Sequence, residues 1–464
     1  MTQSPATAPT LPRDSSTGTL SEPSALADPA ATATTGTHPL RKAITSSFLG
    51  NFVEWFDYAL YGYLSATIAT VFFPEDEGRT ALVKTFGLFA LSFLIRPVGA
   101  VVWGHIGDRY GRKTALSWSI LLMSGATTCI ALLPGHATIG VAAPFLLLTF
   151  RLIQGFSAAG EYAGASTLLT ELAPARKRGL VAAVVPASTA SGLLLGSLMA
   201  ALLTGVLDDA TMESWGWRIP FLIAAPLGLV GLVIRRHLDE STAFTEAVEK
   251  AALANEEAGP GAKHRPLLEV FREPRALLIA FSAAVLNAIG FYVILSYMPT
   301  YLSEELGQDD TDAFIAASVA LFAYIFSVLL TGWMSDRMGR RKIMLTASFA
   351  FIVAAVPAFL LLDGAGLALV IIIQIAMGVV LALNDGVLPA FLSEQFSTGV
   401  RLTGFAVTFN TANAVFGGTA PMLATLLIGW TGMTVAPALY LMAAALVTFL
   451  AVLKAAETHR APLS

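Results

Sequence analysis

The chain has 464 residues, of which 55% are hydrophobic and only 13% charged, with a mean hydropathy of +0.69. A soluble domain carries about 25% charged residues, so this composition excludes an ordinary water-soluble protein and makes lipid the principal solvent. The formal net charge of −4 is small, and Lys and Arg gather in short clusters between apolar runs, not on one basic face, which excludes nucleic acid as a partner.

Residues 1–40 are rich in Ser, Thr, Pro and Ala. They bury too little apolar surface to offset the entropy of ordering and are expected to form a disordered cytoplasmic tail. They lack the apolar core of a signal peptide, so the first apolar run is itself the first membrane span. A span needs roughly 20 mostly apolar residues, and twelve such runs follow: 44–73, 83–107, 115–134, 142–172, 179–206 and 217–236, then 275–302, 313–334, 342–362, 366–395, 401–428 and 433–454. The expected fold is all-α, with twelve transmembrane helices in two pseudo-symmetric six-helix bundles, 41–236 and 275–454. A polar cytoplasmic linker, 237–274, joins them, and a short cytoplasmic tail, 455–464, ends the chain.

The loops alternate in charge. DRYGRK (108–113), APARKRG (173–179), RRHLDE (235–240) and DRMGRRK (336–342) are basic; FPEDEGRT (73–80), PGHATIG (134–140), LDDATMES (207–214) and EELGQDDTD (304–312) are not. Lys and Arg accumulate on the cytoplasmic side, so both termini are expected to face the cytoplasm of a multi-pass protein of the plasma (inner) membrane. GHIGDRYGRK (104–113) recurs as GWMSDRMGRRK (332–342), each between the second and third span of its half. Such a repeat indicates two homologous bundles, a site at their interface and alternating access by rocking.

The repeated loop reads as a gate. Gly104, Gly111, Gly332 and Gly339 permit close backbone approach, and Asp108 and Asp336 are offered to helix N-termini or to arginines of a neighbouring span. Arg109, Arg112, Arg337 and Arg340 complete the two copies.

In the first span, GNFVEWFDYALYG (50–62) sets Glu54 and Asp57 three residues apart and therefore on one face, with Tyr58 and Tyr61 near that side. An ionised carboxylate in mid-membrane costs about 2.5–3.5 kcal/mol on insertion scales. A desolvated acid beside a like charge meets the conditions for reversible protonation near neutral pH. Arg96, Arg151, Glu161 and Asp385 are the other intramembrane ionisable residues; Arg96 and Arg151 can neutralise two of the acids and leave one, Glu54, Asp57 or Glu161, to exchange a proton. The second bundle offers hydrogen-bonding and aromatic groups, among them Asn287, Tyr292, Tyr297, Tyr324, Asn384, Asn410 and Asn413. Trp55 or Tyr292 can hold an onium group by cation–π attraction of about 0.5–2 kcal/mol. Small residues mark close helix packing at Gly155, Gly160 and Gly164, at Gly192 and Gly196, and at Gly417 and Gly418. Cys129 reads as a small packing residue. No His, Cys and carboxylate cluster has catalytic or metal spacing, so no enzyme, cofactor or metal is expected.

The duplicated D-R-x-G-R loop resembles the hallmark of the major facilitator superfamily. GNFVEWFDYALYG, FLIRP (93–97), QGFSAAGEYAGAS (154–166) and WGWRIPF (215–221) resemble its metabolite:proton symporter family across residues 41–460. Within that family, GFYVILSYMPTYLSEEL (290–306) and the stretch 437–463 look most like the proline/betaine transporters. The resemblance implies proton-coupled import of a small polar metabolite by a carrier working as a monomer, with protons and solute as its partners. Two departures stand out: Ala159 precedes Gly160 and Glu161 where the family often has G-G-E, and no heptads follow the last span, so the osmosensing coiled coil of some relatives is not expected. The fifth span lacks the glycine–proline signature of drug antiporters and the seventh the paired glutamines of sugar porters. A zwitterion such as proline or glycine betaine suits a cavity holding Glu54, Asp57, Arg96 and aromatics; a mono- or dicarboxylate such as 2-oxoglutarate or shikimate, bound by Arg96 or Arg151, is the alternative, and a non-transporting membrane sensor a third.

Overall fold

In the computed structural model, residues 1–2, 37–76, 78–100, 102–103, 112–236, 270–397, 400–461 and 463 are described. Contacts separate Met1–His38 from one compact unit, Pro39–Ser464. The expected tail and most of the expected linker therefore lie outside the described residues.

The described part of each apolar run is helical apart from short breaks, because a backbone in lipid must satisfy its own hydrogen bonds. The helices are α1 (Thr37–Tyr63, continued by Ser65–Phe72), α2 (Gly78–Ala100), α3 (Arg112–Leu132), α4 (Ala142–Leu172), α5 (Ala175–Val206) and α6 (Arg218–Arg236). Then come α7 (Pro274–Glu305), α8 (Asp310–Met338), α9 (Arg340–Leu362), α10 (Leu367–Glu394), α11 (Arg401–Thr431) and α12 (Ala436–Lys454). Among the described residues nine are long and apolar enough to cross a membrane; α1, α3 and α6 occupy the remaining expected positions, and α3 contains the shorter apolar stretch Trp118–Leu132.

Several helices are broken where they pass the centre, and breaks there are tolerated only when the freed backbone finds partners or lines a cavity. Pro97 has no amide proton, so α2 turns at Ile95, whose carbonyl accepts from Val98 and Gly99. The α4 helix breaks at Ala158–Gly160, and α10 at Gly386–Val387. The α7 helix widens into π-helical turns at Phe291–Tyr297 and Tyr301–Glu305, and α11 at Asn413–Gly417; such turns are frequent at functional sites.

The halves meet along α5 and α8, where Ser318 donates to Ser197 across the interface at 2.9 Å, and along α2, α7 and α11. Close approach within the first half is set by Gly192, where an added Cβ would lie 2.6 Å from the Phe52 carbonyl oxygen of α1. Asn51 completes that seam, its amide donating to Thr189 at 2.6 Å and Ser188 at 2.9 Å. Gly155, Gly196, Gly417 and Gly418 also meet neighbouring helices closely, but Gly160 and Gly164 face open space: the regular spacing in α4 is not a packing surface throughout, because the break at 158–160 turns that stretch away. Cys129 likewise is exposed and not packed.

Candidate functional site

One face of α1 supplies the centre. Glu54, Trp55, Asp57, Tyr58 and Tyr61 are all buried, as the helical spacing predicts. The break at Pro97 places Arg96 across from them, its guanidinium 4.0 Å from the Phe93 ring and 4.6 Å from the Tyr58 ring. Arg96 Nη2 is 3.9 Å from Glu54 Oε1, an ion pair with both side chains almost fully buried. Arg151 stacks on Tyr61 at 4.2 Å and donates from Nη1 to Gln154 Oε1 at 2.8 Å.

Among the described residues no arginine hydrogen-bonds to Asp57 directly. Its Oδ2 accepts from Gln154 Nε2 at 2.6 Å and its Oδ1 from Thr127 at 2.6 Å, so Gln154 relays between Arg151 and the acid. Gln154 and Thr127 escaped the sequence reading, since uncharged polar residues in a helix carry no signal of which side chain they will meet. Glu161 opens the second part of α4 after the break and is half-buried; with Glu54, Asp57, Ser119 and Thr127 it lines a cavity inside the first half.

The second half closes over this face. Tyr292, in the π-helical part of α7, has its ring 6.1 Å from Trp55 and 5.4 Å from Phe93. Gly417 makes room for it: a Cβ there would come within 2.7 Å of Tyr292 Cε2. A cleft between the halves is lined by Trp55, Tyr162, Asn287, Phe291, Phe409 and Asn413, with Tyr162 stacked flat on Phe409 at 4.4 Å. Asn410 donates to the Ala159 carbonyl exposed by the α4 break, at 3.2 Å. Asn384 and Asp385 belong to a separate cluster behind the cleft, where Tyr324 donates to Asp385 Oδ2 at 2.7 Å. Arg96 Nε and Nη2, Arg151 Nε and Nη2, Trp55 Nε1 and the Tyr292 hydroxyl are buried without a hydrogen-bond partner among the described residues. Buried donors are otherwise satisfied in more than nine cases in ten, so these atoms stand out.

The repeated motif is half visible. Gly104, Asp108, Arg109 and Gly111 lie outside the described residues, and Arg112 is described only as the first residue of α3. In the second copy, Asp336 accepts from the amides of Gly179 and Leu180 at the start of α5, at 2.8 and 3.0 Å, and from Arg340 at 2.9 Å. A carboxylate on free amides at a helix start is favourable. Arg340 also reaches Glu394 at 3.2 Å, and Gly332 lies so near Gly179 that a Cβ would sit 2.6 Å from its carbonyl oxygen. Gly339 has φ +101°, which favours glycine. Arg337 instead stacks on Trp333 of its own helix at 3.7 Å and takes no part in this contact.

Three further links at this end carried no sequence signal: Arg401 to Glu171 at 2.8 Å, Arg178 to the Ala461 carbonyl at 2.9 Å, and Glu457, which accepts from the first amides of α9, Arg340 at 2.8 Å and Arg341 at 3.1 Å. Burial alone would raise the Glu457 carboxyl, but the amides of Arg340, His459 and Arg341 hold it below the usual carboxylate range. At the opposite end Arg79 pairs with Glu305 at 2.7 Å and Tyr63 donates to the Leu295 carbonyl at 2.6 Å. The halves therefore touch at both ends around a buried centre. Among the described residues no His, Cys, Asp and Glu group could hold a metal ion.

Residues 42–464 match the family described as "Sugar (and other) transporter". The chain is 36% identical over 427 residues to the proline/betaine transporter of Escherichia coli (strain K12), covering 91% of this chain and 85% of the relative. It is 35% identical, with the same coverage, to the glycine betaine/proline/ectoine/pipecolic acid transporter of Dickeya dadantii (strain 3937). Among solved structures, a D-xylose–proton symporter superposes with a TM-score of 0.70 at 17% identity, over 89% of this chain and 96% of the other, and a partially occluded inward-open xylose transporter from E. coli with 0.69 at 16% identity, over 91% and 99%. The matched family and the named relatives agree: the chain belongs to the sugar (and other) transporter family, and it is a membrane transporter, not an enzyme.

Proposed function

We propose that the protein is a proton symporter that imports a small zwitterion of the proline or glycine betaine kind, by alternating access between two six-helix halves, 41–236 and 275–454. It works as a monomer in the plasma membrane, with twelve spans and both termini in the cytoplasm, an orientation supported by the alternating charge of the loops. The names of the two relatives support the cargo.

The observation that carries this reading is the juxtaposition at Trp55. Trp55 lines the aromatic cleft with Tyr162, Phe291 and Phe409, a surface suited to an onium group. Its ring also lies 6.0 Å from the guanidinium of Arg96, whose Nε and Nη2 have no hydrogen-bond partner among the described residues and suit a carboxylate. Coupling follows from the same geometry. Glu54 and Arg96 share one ion pair, so a solute carboxylate at Arg96 competes with Glu54 for the guanidinium, and the displaced acid is more readily protonated. Proton and solute then favour each other's binding. Asp57 and Glu161, in the same cavity, supply the route by which the proton arrives. Tyr58, Tyr61, Arg151 and Tyr292 frame the solute site, Asn410 holds the α4 break beside it, and Asn384 with Asp385 stands behind it. Asp336, Arg340 and the two glycines Gly332 and Gly339 close the cytoplasmic gate, with the first copy of the motif as its counterpart.

Titration calorimetry on the solubilised protein tests the site. Glycine betaine and proline are expected to bind, with at least tenfold weaker binding in Arg96→Ala. Tight binding of 2-oxoglutarate with none of either zwitterion would assign the two arginines to a dicarboxylate and overturn the cargo.

A further inference from the structure

A buried acid in the second half has a different environment from those above. Asp385 ends the first part of α10 and is fully buried. Its place is fixed by Gly386, where the backbones of α10 and α8 approach so closely that a Cβ would collide with the Val328 carbonyl; one turn before Val328 on α8 stands Tyr324. The Tyr324 hydroxyl donates to Asp385 Oδ2 at 2.7 Å and Asn384 Nδ2 to Oδ1 at 3.0 Å, and Asn287 of α7 faces the same carboxyl. From α4, across the interface, the titratable neighbour is Tyr162. All four are neutral. Glu54, Asp336 and Glu394 each have an arginine within 4 Å, whereas no Lys, Arg or His pairs with Asp385 among the described residues.

A carboxylate in mid-membrane with only neutral donors lacks the charge that offsets its desolvation, and a proton supplies it. Asn384 Oδ1, buried and without a partner among the described residues, is an acceptor available beside the acid. Asn287 and Tyr162 both line the cleft between the halves, so Asp385 stands one side chain behind the wall of the proposed solute site.

We propose that Asp385 is a second proton-binding carboxyl, in the half opposite the Glu54–Arg96 pair, and that the carrier moves two protons with each solute. The proton comes from water in the cleft when it opens to one side, adds to a carboxylate oxygen of Asp385 and leaves to the cleft when it opens to the other. This inference rests on the proton-symport reading above and adds its stoichiometry.

The test uses the full chain in proteoliposomes, with the membrane potential clamped at zero, an inward gradient of one pH unit, and labelled glycine betaine and proline. Each coupled proton multiplies the limiting accumulation by about tenfold per pH unit, since one unit corresponds to a factor of ten in proton activity. The wild type is expected to approach about 100-fold accumulation, and Asp385→Asn to fall at least tenfold short while keeping counterflow at equal pH; Asp385→Glu restores the ratio. A wild-type limit of only about tenfold, an unchanged ratio in Asp385→Asn, or loss of counterflow in that variant, which would mark a structural role, each overturns the proposal. Counterflow of a zwitterion by the wild type without any gradient response would remove proton symport itself, and the second site with it.

Discussion

Trp55 connects the two chemistries of the centre, since its ring faces the cleft and lies 6.0 Å from the Arg96 guanidinium. A cation–π contact is worth about 0.5–2 kcal/mol, so Trp55→Ala is expected to weaken glycine betaine binding by roughly 2- to 30-fold, with Trp55→Phe between the two; equal affinities by calorimetry would place the onium group elsewhere. Charge made part of this centre legible in the sequence: an acid or arginine inside an apolar run is conspicuous, and Glu54, Asp57, Arg96 and Arg151 do come together. Gln154, Thr127 and Tyr162 were not legible as partners, because a polar or aromatic residue in a membrane helix is ordinary until the packing shows what it faces. The ion pair of Asp57 with an arginine, natural from composition, turned out to be relayed through Gln154 for the same reason.

At the scale of the elements, apolar run length gave the helices and their order, while the breaks had to await the fold. Pro97 announces its break in α2, but nothing in AAGEYAG announces that α4 parts at Ala158–Gly160 and turns Gly160 and Gly164 into open space. Two substitutions follow from that contrast. Gly192→Ala forces a Cβ to within 2.6 Å of the Phe52 carbonyl, and overpacking of this kind costs about 1–3 kcal/mol, so a clear drop in Tm is expected. Gly160→Ala meets no atom within 4 Å and should leave Tm unchanged or slightly raised. Thermal melts of the solubilised variants check both, and a larger loss at Gly160 would contradict the packing described. The start of α9 offers a pH-dependent case. The Glu457 carboxyl is held below its usual range by the amides it accepts from, so its stabilisation is fully present above the ordinary carboxylate pKa and disappears as pH falls through the lower folded value. The Tm difference between wild type and Glu457→Gln is therefore expected to be largest near neutral pH and to vanish on acidification; a gap that widens with acid would contradict the capping role.

At the scale of the whole molecule, the duplicated motif and the loop charges carried the two-half plan, yet sequence could not say which end would be closed, since closure is a matter of which surfaces meet. Contacts between the halves are present at both ends, and they differ in kind. Arg340 is buried within the second half with Asp336 and Glu394 around it, where it holds the Asp336 carboxylate that accepts from Gly179 and Leu180 of the first half, and removing one member of such a group costs about 3–5 kcal/mol. Arg79 is half exposed beside Glu305, and exposed pairs contribute about 0–1 kcal/mol. Arg340→Ala should therefore abolish or greatly slow uptake or lower Tm sharply, while Arg79→Ala changes either little; the reverse ranking would show that the motif is an anchor and not a gate.

The central claim is that an inward proton gradient drives a zwitterion through this cleft. Uptake of labelled proline, glycine betaine and 2-oxoglutarate into proteoliposomes, with and without that gradient, tests it most directly. Gradient-dependent accumulation of proline or glycine betaine, reduced in Glu54→Gln with counterflow preserved, is the expected result. Accumulation of 2-oxoglutarate alone, or uptake of any solute that ignores the gradient, would contradict it.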